Sequence, residues 1–179
     1  MAEAFINQVN RAVGIVTSSS NASIGIGLTW MSGISTAHVA IHDIVDKENF
    51  IAGTKVTLVG VSSVQLDRAS TNTVAATASN VSFLGPTTSY SSASATKSIL
   101  IGGTFANNTA NSVNLTVTVY DNSAETESQL AAKIPVPTGS SFVISDAGKA
   151  VLEGNDEVRV YCDTENAIDV NLSILKGVS

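Results

Sequence analysis

The most regular stretch of the chain is Ser112 to Tyr120, where Val113, Leu115, Val117 and Val119 alternate with Asn114, Thr116 and Thr118. Strict alternation has the two-residue period of a strand with one face buried and one wetted. Its β-branched residues suit a pleated, half-buried surface. The pattern returns twice. From Glu157 to Asp163 the inward parity is Val158, Val160 and Cys162, which leaves Glu157, Arg159, Tyr161 and Asp163 outside. From Ala167 to Leu175 it is Ile168, Val170, Leu172 and Ile174. Three such strands in one C-terminal block predict a sandwich core.

The rest of that block fits around them. Thr96 to Phe105 carries Ile99 and Ile101 on one face, and Ser141 to Ser145 turns Phe142 and Ile144 inward. Turns at Asp146–Gly148 and Glu153–Asp156 bracket the short apolar segment Ala150 to Leu152. Pro135 and Pro137 lie two apart, so in an extended strand their missing N–H groups fall on one side. That predicts an edge strand or edge loop, where proline also discourages unwanted pairing. About seven short strands, with turns every eight to twelve residues or so, predict an all-β fold. Its C-terminal domain, 96–179, is an antiparallel β-sandwich, Ig-like or jelly-roll-like.

Upstream, 21–85 reads as a smaller β unit. Ile24, Ile26 and Leu28 alternate with Gly25 and Gly27, and Val39 and Ile41 continue a second strand. A turn at Gly53 leads into a strand holding Val56 and Leu58, and a hairpin at Gly60 to Ser63 returns through Asp67. Thr71 to Asn80 is a loop by composition, and Val81 to Leu84 closes the unit. Gly85 and the Pro, Ser and Thr of 86–95 mark a linker. Residues 1–20 form an N-terminal arm. Phe5 and Val9 within it fit either one or two helical turns or an extended arm lying on a neighbouring subunit.

Charged residues are only 13% of the chain and apolar ones 44%, so the surface relies on hydroxyls and amides. The net charge is −6 and the nine basic residues are scattered, which argues against a nucleic-acid backbone as partner. No apolar run approaches the roughly 20 residues of a membrane-spanning helix. The first residues lack a secretory pattern, so the expectation is a chain kept soluble without export. Cys162 is the single cysteine and lies on a buried parity, which predicts a small apolar filler.

Candidate chemistry is sparse. His38 and His42 could share a metal on a helix, but on a strand their side chains stand ~13 Å apart, so no metal site is expected. Acidic clusters at Asp121–Asn122, Asn155–Glu157 and Asp163–Asn166 lack a calcium-loop pattern, and turn chemistry accounts for them. Asn-x-Ser/Thr triplets at Asn21, Asn80, Asn107, Asn114 and Asn171 carry no implication of glycosylation without a secretory signal. No nucleophile elbow, phosphate loop or Cys–His pairing is present, so a non-enzyme without cofactor is expected. Four rings, Trp30, Tyr90, Tyr120 and Tyr161, are candidates for stacking on a ligand such as a sugar. Trp30, beside the Gly33 turn, is the best placed of them. Phe5 and Val9 are the candidate partner contacts.

Several segments together resemble one known family. They are Lys97 to Thr109, Val113 to Asp121, Ile134 to Ile144, Leu152 to Val160 and Ala167 to Leu175. They resemble the β-sandwich of small virion proteins of tailed bacteriophages, most like those of marine and cyanobacterial phages. Ile51 to Leu66 is similar to a repeat in phage structural proteins. The resemblance implies a structural role in a virion assembled in the host cytoplasm. It implies self-association, as a homotrimer or a ring, and contact with major capsid or neck and tail proteins. Capsid decoration is the first expectation. A neck, tail or fibre adaptor is the alternative, and a host-surface carbohydrate-binding module is the alternative of another class.

Overall fold

A computed structural model describes residues 3–19, 21–73, 80–145 and 149–178. Among them there is no helix. The chain divides into two compact units, one built from 1–14 and 87–179, the other from 15–86. The second unit is thus an insertion after the first strand of the first.

The first unit is an antiparallel β-sandwich. One sheet holds β1 (Ala4–Val13), β15 (Ile168–Val178), β9 (Lys97–Asn107) and β12 (Ser141–Ile144) in that order, with β13 (Ala150–Leu152) also on β9. The other runs β11 (Thr126–Val136), β10 (Val113–Asp121), β14 (Glu157–Cys162) and β8 (Thr87–Ser91). The predicted inward residues of β10, β14 and β15 meet in one core. Leu115, Val117, Val158, Val160, Cys162 and Leu172 are all fully buried there. Pro135 lies on β11, the edge strand of its sheet, as its missing donor requires.

Several expectations need correction. Residues 4–13 are neither helical turns nor an arm on a neighbour; they are β1, paired with β15 of their own sandwich from Ala4↔Lys176 to Val13↔Ile168. Val13 joins the core and Ile6 packs on it, so burial holds the segment at home. The stretch 86–95 is not only a linker, because Thr87–Ser91 pairs with β14 and buries Ser89 and Tyr90. On β9 Ile99 and Ile101 share a face as expected, but it is the outer one, and Leu100 between them is buried. A bulge between Ser173↔Gly102 and Ile174↔Leu100 sets that register. The supposedly wetted face of β10 is half buried too, since Thr116 and Thr118 are covered. The predicted turn at Asp146–Gly148 and most of the loop 71–80 lie outside the described residues.

The second unit has two three-stranded antiparallel sheets. One orders β2 (Ile15–Ser19), β7 (Val81–Gly85) and β4 (Ile44–Asp46). The other orders β3 (Trp30–Ser32), β6 (Ser63–Leu66) and β5 (Val56–Val59). Met31, Val56, Val64 and Phe83 are central to its core. The β5–β6 hairpin closes through Gly60 N–H donating to the Ser63 carbonyl at 2.7 Å, as its turn chemistry predicts. Ile24 to Leu28 is not a strand, because Gly27 takes φ +76° and Leu28 N–H closes a turn on the Gly25 carbonyl. Ile26 therefore stands at a turn, exposed.

Asp43 is buried in this unit, with Oδ2 accepting the Ala40 N–H at 2.8 Å. Burial raises its pKa above the ordinary carboxylate value, and the Ala40 hydrogen bond pulls the other way. A raised native pKa stabilises the fold below the unfolded carboxylate range, and that contribution is lost as pH rises through the native value. Asp43→Asn, which keeps the acceptor, should flatten the pH dependence of the urea midpoint across mildly acidic pH. An unchanged slope would contradict this account.

Candidate functional site

The outer face of the five-stranded sheet carries an apolar row that no partner within the sheet covers. Strand register sets Phe5 of β1 opposite Leu175 of β15, Leu175 opposite Ile99 of β9, and Ile99 opposite Val151 of β13. Residues directly opposed share a face, so these four side chains form one line about 15 Å across. Phe5 is 76% exposed and Val151 61%, with Leu175 and Ile99 half buried between them. A second line runs from Val9 through Asn171 and Thr104 to Val143, with Val9 59% and Val143 56% exposed. Asn7, Ser173 and Gly102 lie between the two. None of these residues is ionisable. Between Val143 and Asn171 the face dips into an open groove of about 260 Å³, lined also by Ile101, Thr104 and Ser173. Such a surface can exclude water from a matching partner and can hydrogen-bond around the excluded area.

The edge of this sheet is open as well. Among the described residues β1 pairs only with β15, so no strand is hydrogen-bonded to its other side. A bulge between Asn10 and Val13, with Ala12 at φ +56°, bends the strand and limits its straight part to residues 4–10. Phe5 and Val9, the partner contacts expected from sequence, are therefore on one face of an edge strand.

The aromatic candidates separate. Tyr90 is buried in the sandwich with its hydroxyl 2.8 Å from Ser98 Oγ. Tyr161 is fully buried, and Tyr120 lies beneath the Arg159 guanidinium, 3.8 Å from ring centre to Cζ. Trp30 alone among them presents a large exposed ring, at 48%. It sits opposite Gln65, which is opposite Leu58 on the other side. A bulge at Thr57 turns Leu58 outward, so Trp30, Gln65 and Leu58 make a small mixed patch on the outside of their own sheet.

Tyr161 belongs to a buried polar network on the outer face of the four-stranded sheet. Glu127 Oε1 accepts from Tyr161 Oη at 2.9 Å and from the Thr118 hydroxyl, and its Oε2 is 3.3 Å from Arg159 Nη1. Arg159 Nε donates to Glu157 Oε2 at 2.7 Å. The Glu127 side chain is 4% exposed and that of Arg159 10%. Burial, then the Glu127 carboxylate, push the Tyr161 phenol far above its ordinary range. Burial also works against the Arg159 charge, but Glu157 and Glu127 more than offset it, and its pKa rises. Every group here is turned toward another, which suits a structural clasp.

The remaining candidates are structural in their contacts. His38 and His42 occupy turns at φ +66° and +78°, not a strand, and among the described residues no three potential metal ligands cluster. Asp121, Asp156 and Asp163 direct their oxygens at backbone N–H groups of Ala124, Glu153 and Asn114. Cys162 is fully buried and its thiol is pushed up to about 11, first by burial. It should resist aqueous disulfide reagents at pH 8 until the protein unfolds, a rate that a thiol assay in increasing urea would read.

Phe5, Val9 and Trp30, singled out in the sequence, are exposed, whereas Leu175, Ile99 and Val151, which continue the row from Phe5, were not singled out. The signal was present. Ile99-Leu100-Ile101 and Ile174-Leu175 are adjacent apolar residues on strands, and adjacency forces one parity outward. No family model, curated protein or solved structure matches the chain.

Proposed function

We propose that this chain is a structural accessory protein of a tailed-phage virion, which docks on the capsid as a decoration protein. The observation that carries the reading is the apolar line Phe5, Leu175, Ile99 and Val151 on the outer face of the five-stranded sheet, flanked by the equally uncharged rows of Asn7 and Val9. A face of this kind binds a matching surface by excluding water, and it sets up little repulsion between neighbouring copies. The resemblance of Lys97 to Thr109, Val113 to Asp121 and Ala167 to Leu175 to small phage sandwiches supports the location. A protein that binds only the mature shell stabilises it by linkage.

Copies per particle, from quantitative mass spectrometry of purified virions against the major capsid protein, test the reading. Hundreds of copies fit decoration. A count of about six to eighteen moves the protein to a neck, tail or fibre ring. Absence from particles removes it from the virion. One observation favours a second reading. Trp30 stands exposed beside the amide of Gln65, a pairing that suits the apolar face and hydroxyls of a sugar. Glycan-array binding abolished by Trp30→Ala would support a carbohydrate-binding role, and an array without signal would dismiss it.

A further inference from the structure

We infer that the open edge of β1 is a self-pairing site whose occupant is β1 of a second copy, antiparallel about a two-fold axis. The inference deepens the assembly reading above by naming the partner of that face, but it does not require a virion. Its basis is the order of side chains on one face of the strand. Phe5, Asn7 and Val9 are exposed and share the outward parity of the straight part, and exposed Glu3 and Arg11 flank it at the same spacing. When Asn7 is set opposite Asn7 of the second copy, Phe5 falls opposite Val9, and Glu3 opposite Arg11. The two-fold axis makes each of these contacts twice. Both the apolar pair and the opposite-charge pair are of the kind that stabilises neighbouring antiparallel strands. Moving the register by two residues in either direction places Glu3 against Val9, or Phe5 against Arg11, and loses the match.

The backbone permits this arrangement. Directly opposed residues in an antiparallel pair must have the same parity, which pairing about Asn7 satisfies over the straight part, residues 4–10. The straight part of β1 has neither proline nor lysine, the usual guards of an exposed edge. The bulge at Ala12 ends the compatible stretch, so pairing stops with the charges rather than running on. The product is one continuous sheet through two sandwiches. Its outer face carries the line Val151, Ile99, Leu175 and Phe5 of one copy on to Val9 of the next. Because the contact is isologous it closes on itself, and the assembly unit is a pair in place of the trimer expected from sequence.

Single cysteines in the full chain test both the contact and its register. Opposed Cα atoms in such a pair are about 4.5–5.5 Å apart, within disulfide range. Asn7→Cys should therefore cross-link efficiently under mild oxidation. Phe5→Cys and Val9→Cys, each about 13 Å from its own copy along the strand, should cross-link at least ~10-fold less when alone. An equimolar mixture of those two should cross-link as Asn7→Cys does. Native Cys162 is buried and does not compete. Sedimentation of the unmodified chain should give twice 18.3 kDa, and Phe5→Asp should raise the dissociation constant about tenfold or more. A monomer at the highest concentration reached, a trimer, or equal cross-linking at all three positions would each overturn the inference. A pair in solution with no copies on particles would instead remove the virion and leave the pairing intact.

Discussion

Glu127→Ala should lower the stability of the sandwich by about 3–5 kcal/mol, the range for breaking a buried ion pair from one side. Three groups turn to this carboxylate: the Thr118 hydroxyl, the Tyr161 phenol and the Arg159 guanidinium. Removing it strands their hydrogens in a site where Glu127 itself is only 4% exposed. Arg159 would keep Glu157, at 2.7 Å, so its charge would not be wholly unpaired. Tyr161→Phe should cost less, about 1 kcal/mol, because Glu127 retains two donors and no buried charge is left alone. Urea unfolding followed by tryptophan-independent circular dichroism checks the pair, with equal m values required for the comparison. If the alanine variant lost no more than the phenylalanine variant, the network would not be the clasp its contacts describe.

Gly14→Ala should be as damaging, at about 3 kcal/mol or more, for a reason of backbone geometry. Gly14 has φ +138°, and a Cβ there would lie 2.1 Å from the Thr164 carbonyl oxygen. The approach cannot relax easily, because the Gly14 carbonyl accepts from Asn166 N–H at 3.1 Å and the Val13 carbonyl accepts from Ala167 N–H at 2.9 Å. Both the strained φ and the collision with backbone oppose any side chain. The measurement is the soluble yield and thermal midpoint of the variant against wild type. A midpoint within a degree or two of wild type would show that the 164–166 turn yields, and that Gly14 is not needed. Gly27 offers a control, since its Cβ would meet nothing within 4 Å although its φ is +76°.

The sandwich was legible in the sequence wherever a strand alternates cleanly. Val158, Val160 and Cys162, and then Ile168, Val170, Leu172 and Ile174, point inward as parity alone dictates. Legibility failed where a strand is bulged or where glycine interrupts it. Thr57 and Ile101 each displace the pleat by one residue, which sends Leu58 outward and draws Leu100 in. Gly25 and Gly27 imitate a strand on paper but fold as a turn. The polar run 87–91 lacks apolar alternation, so nothing in it announces β8; its pairing with β14 is a tertiary gain. Of the candidate surface, Phe5 and Val9 were visible as apolar residues in a short amphiphilic segment. Their cross-strand neighbours were not, because opposing residues are about 170 positions apart and only register joins them.

That separation bears on the order in which the chain folds as it is synthesised. Ala4–Val13 has as its in-sheet partner the strand Ile168–Val178, which is synthesised more than 150 residues later. The inserted unit, 15–86, has its own core and strand pairs and can fold while the sandwich is still incomplete. While the residues between those two strands are being made, Phe5 and Val9 therefore belong to a strand without its sheet partner, tethered to a growing chain. Such a delay slows folding by the entropy of a long closure, and it exposes the nascent strand to other ribosomes' products on the same message. Chaperone demand should accordingly fall on Ala4–Val13 and end when Ile168–Val178 arrives.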